Sequence, residues 1–328
     1  AMTTRTSITR RALLGTAAAA PAALVLPRGA RAAWPERPMR VIVPTQPGGG
    51  MDSTARTLQR AFEARKLLPH NFVVVNMDGA GGTIGTRAVR DAAPDGYTIG
   101  YWHEGIVTSK VMGITDYDHT AFELLGSTGY ETLGFGVRAD GPIKTLEDLI
   151  ALAKAQPGQI KNATNVGLPV HFYPLIFQSL VGAEFRYVQT GGGARRMPSV
   201  AGGHTDFSIF GTNEFLRFKE AGIRPVVLFG PERSRVLPDV PTAREKGIDM
   251  LALAYRIWLM PKGTPAEITG RFTEALRTAM ADPEIVAAFE DQGLVARFIE
   301  PAEVVKELDV MRDRAAPLVP KARELQQG

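Results

Sequence analysis

Two glycine-rich turns are the stretches of this chain best suited to hold a ligand. The first, Pro47-Gly48-Gly49-Gly50-Met51-Asp52, follows the apolar, β-branched run Met39–Val43. It precedes a helical pattern that puts Ala55, Leu58, Ala61 and Phe62 on one face. That order predicts strand, turn and helix, with Asp52 as N-cap. The second, Asp78-Gly79-Ala80-Gly81-Gly82-Thr83-Ile84-Gly85, follows Phe72–Val75 and leads into a helix carrying Ala88 and Val89. Each turn leaves backbone N–H groups unpaired at the positive end of a helix dipole, and glycine lets a ligand approach them closely. Consecutive strands of an α/β sheet open at the same edge, so the two turns converge on a pocket of donors suited to an anion.

Other side chains could take part in chemistry. His103-Glu104 follows the strand Tyr97–Tyr101 onto that same edge, as a ligand contact or, in a rival enzymatic reading, as an acid–base pair without a visible nucleophile. Arg195-Arg196 opens a helix after the turn Thr190-Gly191-Gly192-Gly193; it could pair with a ligand carboxylate or lie on a solvated face. His70, His103, His119, His171 and His204 lack the spacing of metal ligands. The second turn misses the dinucleotide fingerprint, because Ile84 stands where a glycine is required. No phosphate-binding loop, H-E-x-x-H or G-x-S-x-G occurs. With no cysteine there is no disulfide framework, thiolate catalysis or cysteine zinc site. The residues point to binding without catalysis, cofactor or metal.

At 328 residues the chain is longer than one core usually supports, and 45% apolar with 22% charged residues is ordinary globular composition. Residues 1–32 read as a twin-arginine signal peptide: Arg10-Arg11 precedes the mildly apolar run Ala12–Leu26, and Ala30-Arg31-Ala32 ends it. Cleavage there would remove five arginines and no acid, taking the net charge from +4 to −1. A slightly acidic mature chain without a basic run has no electrostatic reason to bind nucleic acid or anionic lipid, and no span for membrane insertion. Strand and helix patterns then alternate through two α/β lobes, with crossings near 135–140 and 252–258. The first lobe is discontinuous, 33–137 plus 254–328, and 138–253 forms the second. That layout suits a hinged clamshell.

An ordered set of short motifs carries a family resemblance. It runs through Ile42-Val43-Pro44, Pro47–Asp52 with Ala55-Arg56, Val74-Val75-Asn76, Gly79–Gly85 and Ala93-Pro94-Asp95-Gly96-Tyr97-Thr98. It continues through Gly202-Gly203-His204-Thr205-Asp206, Leu237-Pro238-Asp239-Val240-Pro241-Thr242 and Pro261-Lys262-Gly263-Thr264-Pro265. Together these resemble the periplasmic solute-binding receptors of tripartite tricarboxylate transporters, the Bug family. The resemblance implies an α/β, two-lobed periplasmic binding protein of type II-like fold, with a hinge and a ligand cleft between its domains. It implies a monomer that captures a small carboxylate and presents it to membrane permease subunits; a sensor feeding a signalling partner is the alternative. The ligand would meet Thr45, Gln46, Gly48, Gly49, Gly50 and Asp52 at the first turn. At the second turn and the loop beyond, it would meet Gly79, Ala80, Gly81, Gly82, Thr83, His103 and Glu104. The second lobe would add Gly167, His171, Thr190 and Gly191. The chain departs from the family's usual pattern at Thr45-Gln46, Asp78, Trp102-His103-Glu104 and Gly167–His171, positions that bear on which ligand is held.

Overall fold

A computed structural model describes residues 2–3 and 34–324; the expected signal peptide lies outside the described residues. The first lobe opens with β1 (Met39–Val43), α1 (Gly50–Arg65), β2 (Phe72–Asn76), α2 (Thr83–Arg90), β3 (Thr98–Trp102) and α3 (Gly105–Val111). β1 is the centre of this part, parallel to β2 from Met39↔Phe72 to Val43↔Asn76 and to β3 through Ile42↔Gly100. Val41, Ile42 and Val43 are buried, as parallel strands covered on both faces require.

β4 (Phe122–Arg138) leaves this lobe as one strand of 17 residues, where the sequence suggests two, Phe122–Ser127 and Thr132–Val137. Its pairing is irregular between Leu124 and Gly126 and again between Ser127 and Tyr130. Gly126 and Gly129 take left-handed φ values of 105° and 106° there. These bulges bend the strand without ending it, which the sequence pattern shows only as a break. The second lobe follows with α4 (Leu146–Ala155), β5 (Lys161–Thr164), α5 (Pro169–Val181), β6 (Arg186–Gln189), α6 (Gly193–Ala201), β7 (Phe207–Gly211), α7 (Thr212–Arg217) and β8 (Ile223–Leu228).

β9 (Leu253–Pro261) returns antiparallel to both β3 and β4. It leads to α8 (Ala266–Ala281), α9 (Pro283–Glu290), β10 (Leu294–Val295), α10 (Pro301–Ala315) and α11 (Val319–Glu324). The central strand order is β2-β1-β3-β9-β4-β7-β5-β6, so β9 and β4 join the two halves of one mixed sheet. Each half has its own apolar core, one around Trp258, Phe72 and Phe272 and one around Phe135, Phe177 and Phe229. The C-terminal helices divide between them. Val304 and Leu308 of α10 bury in the first core, whereas Met311, Ala315 and Ala322 bury in the second.

Helix α3 falls within Trp102–Asp118, which reads as irregular in sequence. Ile106 and Val107 are poor helix formers, but both are buried, so packing overrides propensity. No helix among the described residues is long and apolar enough to cross a membrane.

Candidate functional site

The two glycine turns sit at the C-terminal ends of the adjacent strands β1 and β2. α1 starts at Gly50 with Gly49 as N-cap, and no side chain caps it. Asp52, expected as the N-cap, lies inside the first turn of α1 instead and reaches back to accept from Gly48 N–H at 2.8 Å. It is 4% exposed and paired with Arg56 at 2.9 Å. Burial would raise its pKa, but hydrogen bonds from Arg56 and Gly48 outweigh that and hold it below the usual carboxylate range. Arg56 also donates to Asn76 Oδ1 at 2.9 Å, and Asn76 Nδ2 donates to the Thr45 carbonyl at 3.2 Å. Asp52 and Asn76 therefore fix the first turn to the end of β2. Asn76→Ala should cost about 1–2 kcal/mol of stability in urea denaturation, since it removes two such bonds.

In the second turn, Gly79, Ala80, Gly81 and Gly82 have φ values of 128°, 47°, 66° and 88°. Four successive left-handed residues curl the chain so that a Cβ on Gly81 would meet Leu168 of the second lobe at 3.6 Å. A Cβ on Gly82 would lie 2.3 Å from the Trp102 ring, so only glycine fits against that indole. α2 then begins with no side-chain cap. A hollow of about 440 Å³ runs along α2, lined by Ala80, Thr83, Ile84 and Arg87 among others. Every residue that lines it belongs to the first lobe, so it is a groove along α2.

His103 and Glu104 point different ways in function. His103 stacks on Trp102 at 4.0 Å, and its Nδ1 accepts from Gly105 N–H at 2.9 Å. Burial, reinforced by Arg256, pushes its pKa down to about 3, so the ring is neutral. Glu104 is 3% exposed; it accepts from Tyr255 N–H at 3.2 Å and lies 3.5 Å from the Tyr173 hydroxyl of α5. It joins the first lobe, β9 and the second lobe.

In the second lobe, His171 is fully buried in the first turn of α5. Its Nδ1 accepts from Gly167 N–H at 3.3 Å, and its Nε2 has no partner among the described residues. Burial lowers its pKa to about 4. Gly167 packs under Ile114 of the first lobe. The N–H groups of Thr190 and Gly191 both donate to the Thr164 carbonyl, so they are already committed. Arg195 is exposed, whereas Arg196 is buried 3.8 Å from Glu214. Arg196 therefore lies on no solvated face and braces the second lobe from within. Gln46 is exposed and Thr45 half-buried.

Sequence reasoning missed three buried residues beside the first turn. Arg256 of β9 is 2% exposed and pairs with Glu131 of β4 at 2.6 Å. Glu131 also accepts from Asn213 N–H at 2.7 Å. A Cβ on Gly50 would lie 3.3 Å from Asn213 Oδ1 and 3.9 Å from Arg256 Nη2, so both side chains line the first turn. A lone arginine inside the apolar run Leu253–Met260 was the available signal, because a buried charge needs a partner.

Residues 54–319 match the sequence profile of the family described as "Tripartite tricarboxylate transporter family receptor". The chain belongs to this family. An Agrobacterium vitis protein of the UPF0065 group is 32% identical over 291 residues, covering 83% of this chain and 80% of its own. BugT of Bordetella pertussis is 29% identical over 277 residues, covering 79% and 81%. Among solved structures, the periplasmic binding protein BugD superposes with a TM-score of 0.77 at 26% identity, over 88% of this chain and 98% of its own. A structure described as a periplasmic transporter gives 0.80 at 26%, with the same coverage. As a tripartite tricarboxylate transporter receptor the chain is a periplasmic solute-binding protein with two α/β lobes, and members of this family bind substrates rather than transform them. The rival enzymatic reading of His103 and Glu104 falls with that membership and with the buried, interlobe setting of Glu104.

Proposed function

We propose that this receptor closes on a small organic carboxylate between the Gly48–Gly50 and Gly79–Thr83 turns and the facing second lobe, and delivers it to a tripartite tricarboxylate transporter permease. The observation that supports this reading most directly is the curl of Gly79–Gly82. It brings amide-rich backbone to Leu168 across the gap, beside two helix N-termini that no side chain caps. A carboxylate placed there accepts from N–H groups that have no intrahelical partner and sits at the favourable end of two dipoles. Closure follows from contacts that the ligand makes only when both lobes reach it. Because the amides of Thr190 and Gly191 already donate to the Thr164 carbonyl, this reading draws the second lobe's contribution from the first turn of α5 and from Asn213.

The test is calorimetric titration of the protein with a panel of mono-, di- and tricarboxylates, repeated with Gly81→Asp. At φ 66° aspartate is tolerated better than most residues, and its Cβ meets Leu168 at an ordinary contact distance. The variant should keep its fold by circular dichroism and bind the best acid at least tenfold more weakly, about 1.4 kcal/mol. Unchanged affinity would remove this turn from the site.

A further inference from the structure

Helix α5 brings two residues of the second lobe against the first. Leu168, its N-cap, packs over Gly81, and Tyr173 reaches Glu104 at the start of α3. Glu104 and Tyr173 are both buried. Glu104 Oε2 accepts from Tyr255 N–H at 3.2 Å, and Oε1 lies 3.5 Å from the Tyr173 hydroxyl. That hydroxyl has a single hydrogen and a nearer acceptor, the Leu253 carbonyl at 3.1 Å. Lone pairs of Tyr173 are therefore left to face Oε1. An ionised Oε1 would set lone pairs against lone pairs in a buried site. A protonated one donates to Tyr173 and completes a chain from Glu104 through Tyr173 to Leu253.

The surrounding charges do not supply a substitute for that proton. Arg256 and Tyr255 of β9 and Tyr173 of α5 face Glu104. Arg256 favours the ionised form, but its Nη2 is held by Glu131 at 2.6 Å. Beyond Tyr255 stands Glu307 of α10, and beyond Tyr173 stands Arg314, one of each sign. His103, the neighbour in the chain, is neutral and turned to Trp102 and Gly105. Burial outweighs Arg256 and the hydrogen bonds, and it raises the Glu104 carboxyl to about 7.

We infer that Glu104 and Tyr173 form a proton-operated latch: the neutral carboxyl ties the second lobe to the first, and loss of its proton to solvent lets α5 withdraw with its lobe. This rests on the hinged closure of the preceding subsection and on no particular ligand. The latched form holds the proton more tightly than a form in which water reaches the carboxyl. Closure is therefore favoured below about pH 7 and weakens as pH rises through that value. A solute that drives closure is captured more tightly on the acid side.

The test reads the distance between the lobes. The chain has no cysteine, so Asp78→Cys and Ala194→Cys put one spin label on an exposed site of each lobe of the intact protein. By pulsed electron resonance, the ratio of short to long distances should fall at least about tenfold between about pH 5.5 and about pH 8. Glu104→Gln, which donates permanently to Tyr173, should keep the short distance at both values. Tyr173→Phe, which removes the bridging oxygen, should give the long distance at both. A parent whose distances ignore pH overturns the latch, and so does a pH response that survives in either variant. Addition of acetate, succinate and citrate separates that failure from a failure of closure itself. Distances that shorten with an acid but ignore pH sink the latch and leave closure standing. Distances that move with neither remove both.

Discussion

Glu131→Gln should lower the free energy of unfolding by about 3–5 kcal/mol, measured by urea denaturation at neutral pH. The substitution keeps the shape of the side chain and an acceptor for Asn213 N–H, so the loss reports the carboxylate charge. Arg256 would stay 2% exposed with its neutralising partner gone, in a strand that joins both lobes. Gly211 adds to the demand, since a Cβ there would press within 2.1 Å of the Glu131 carboxylate, and the close fit leaves no space for water to take over. Removing both charges in Glu131→Gln/Arg256→Met should restore most of the loss, because an apolar replacement of a buried pair is often neutral. A single variant costing under about 1 kcal/mol would mean that the pair does not hold the crossing strands together.

The second large effect depends on pH. Burial pushes Glu104 up to about 7 from an ordinary 4.5, so the folded protein holds this proton more tightly than the unfolded chain. The stability it contributes is complete below about pH 4.5 and is lost as pH rises through about 7, a change of roughly 3 kcal/mol. Two histidines act in the opposite direction. With burial lowering His103 to about 3 and His171 to about 4, the unfolded chain takes up their protons first, and stability climbs with pH up to about 6.5. Above that value the two histidines add no slope, and Glu104, with Glu214 likewise raised by burial, goes on losing stability as its carboxyl ionises. Glu104→Gln keeps an acceptor for Tyr255 N–H and a permanent donor for the Tyr173 oxygen, whose own hydrogen goes to the Leu253 carbonyl. By scanning calorimetry it should melt several degrees above the parent near pH 8 and match it near pH 4.5. An equal melting temperature at the higher pH would show that the ionised carboxylate is accommodated, with Arg256 as the nearby cation.

The strands β1 to β3 and both glycine turns were legible because their information is local: an apolar run, a cluster of glycines, a helical face. The Tyr97–Tyr101 expectation differs from β3 by one residue at each end. Asp52 was placed at the wrong cap position because a glycine can serve as N-cap while an acid three residues on reaches back to the turn. Arg256, Glu131 and Asn213 were invisible for a different reason. Residues separated by 125 and 82 positions become neighbours only once β4 pairs with β9 and α7 docks beside them. The setting of Glu104 was hidden likewise, since Tyr173 reaches it from the other lobe. Local pattern finds the glycine turns; the Arg256–Glu131–Asn213 cluster exists only in the assembled sheet.

The split burial of α10 has a mechanical consequence. A clamshell joined by β4 and β9 alone is free both to bend and to twist about those two ribbons. Here a rod is riveted at Val304 and Leu308 to one jaw and at Met311 and Ala315 to the other. Swinging the jaws apart must flex that rod in the single turn between its rivets or pull the far ones out of their seat. In the closure proposed above, the outward swing is thereby leashed by the tail as well as by the crossing strands.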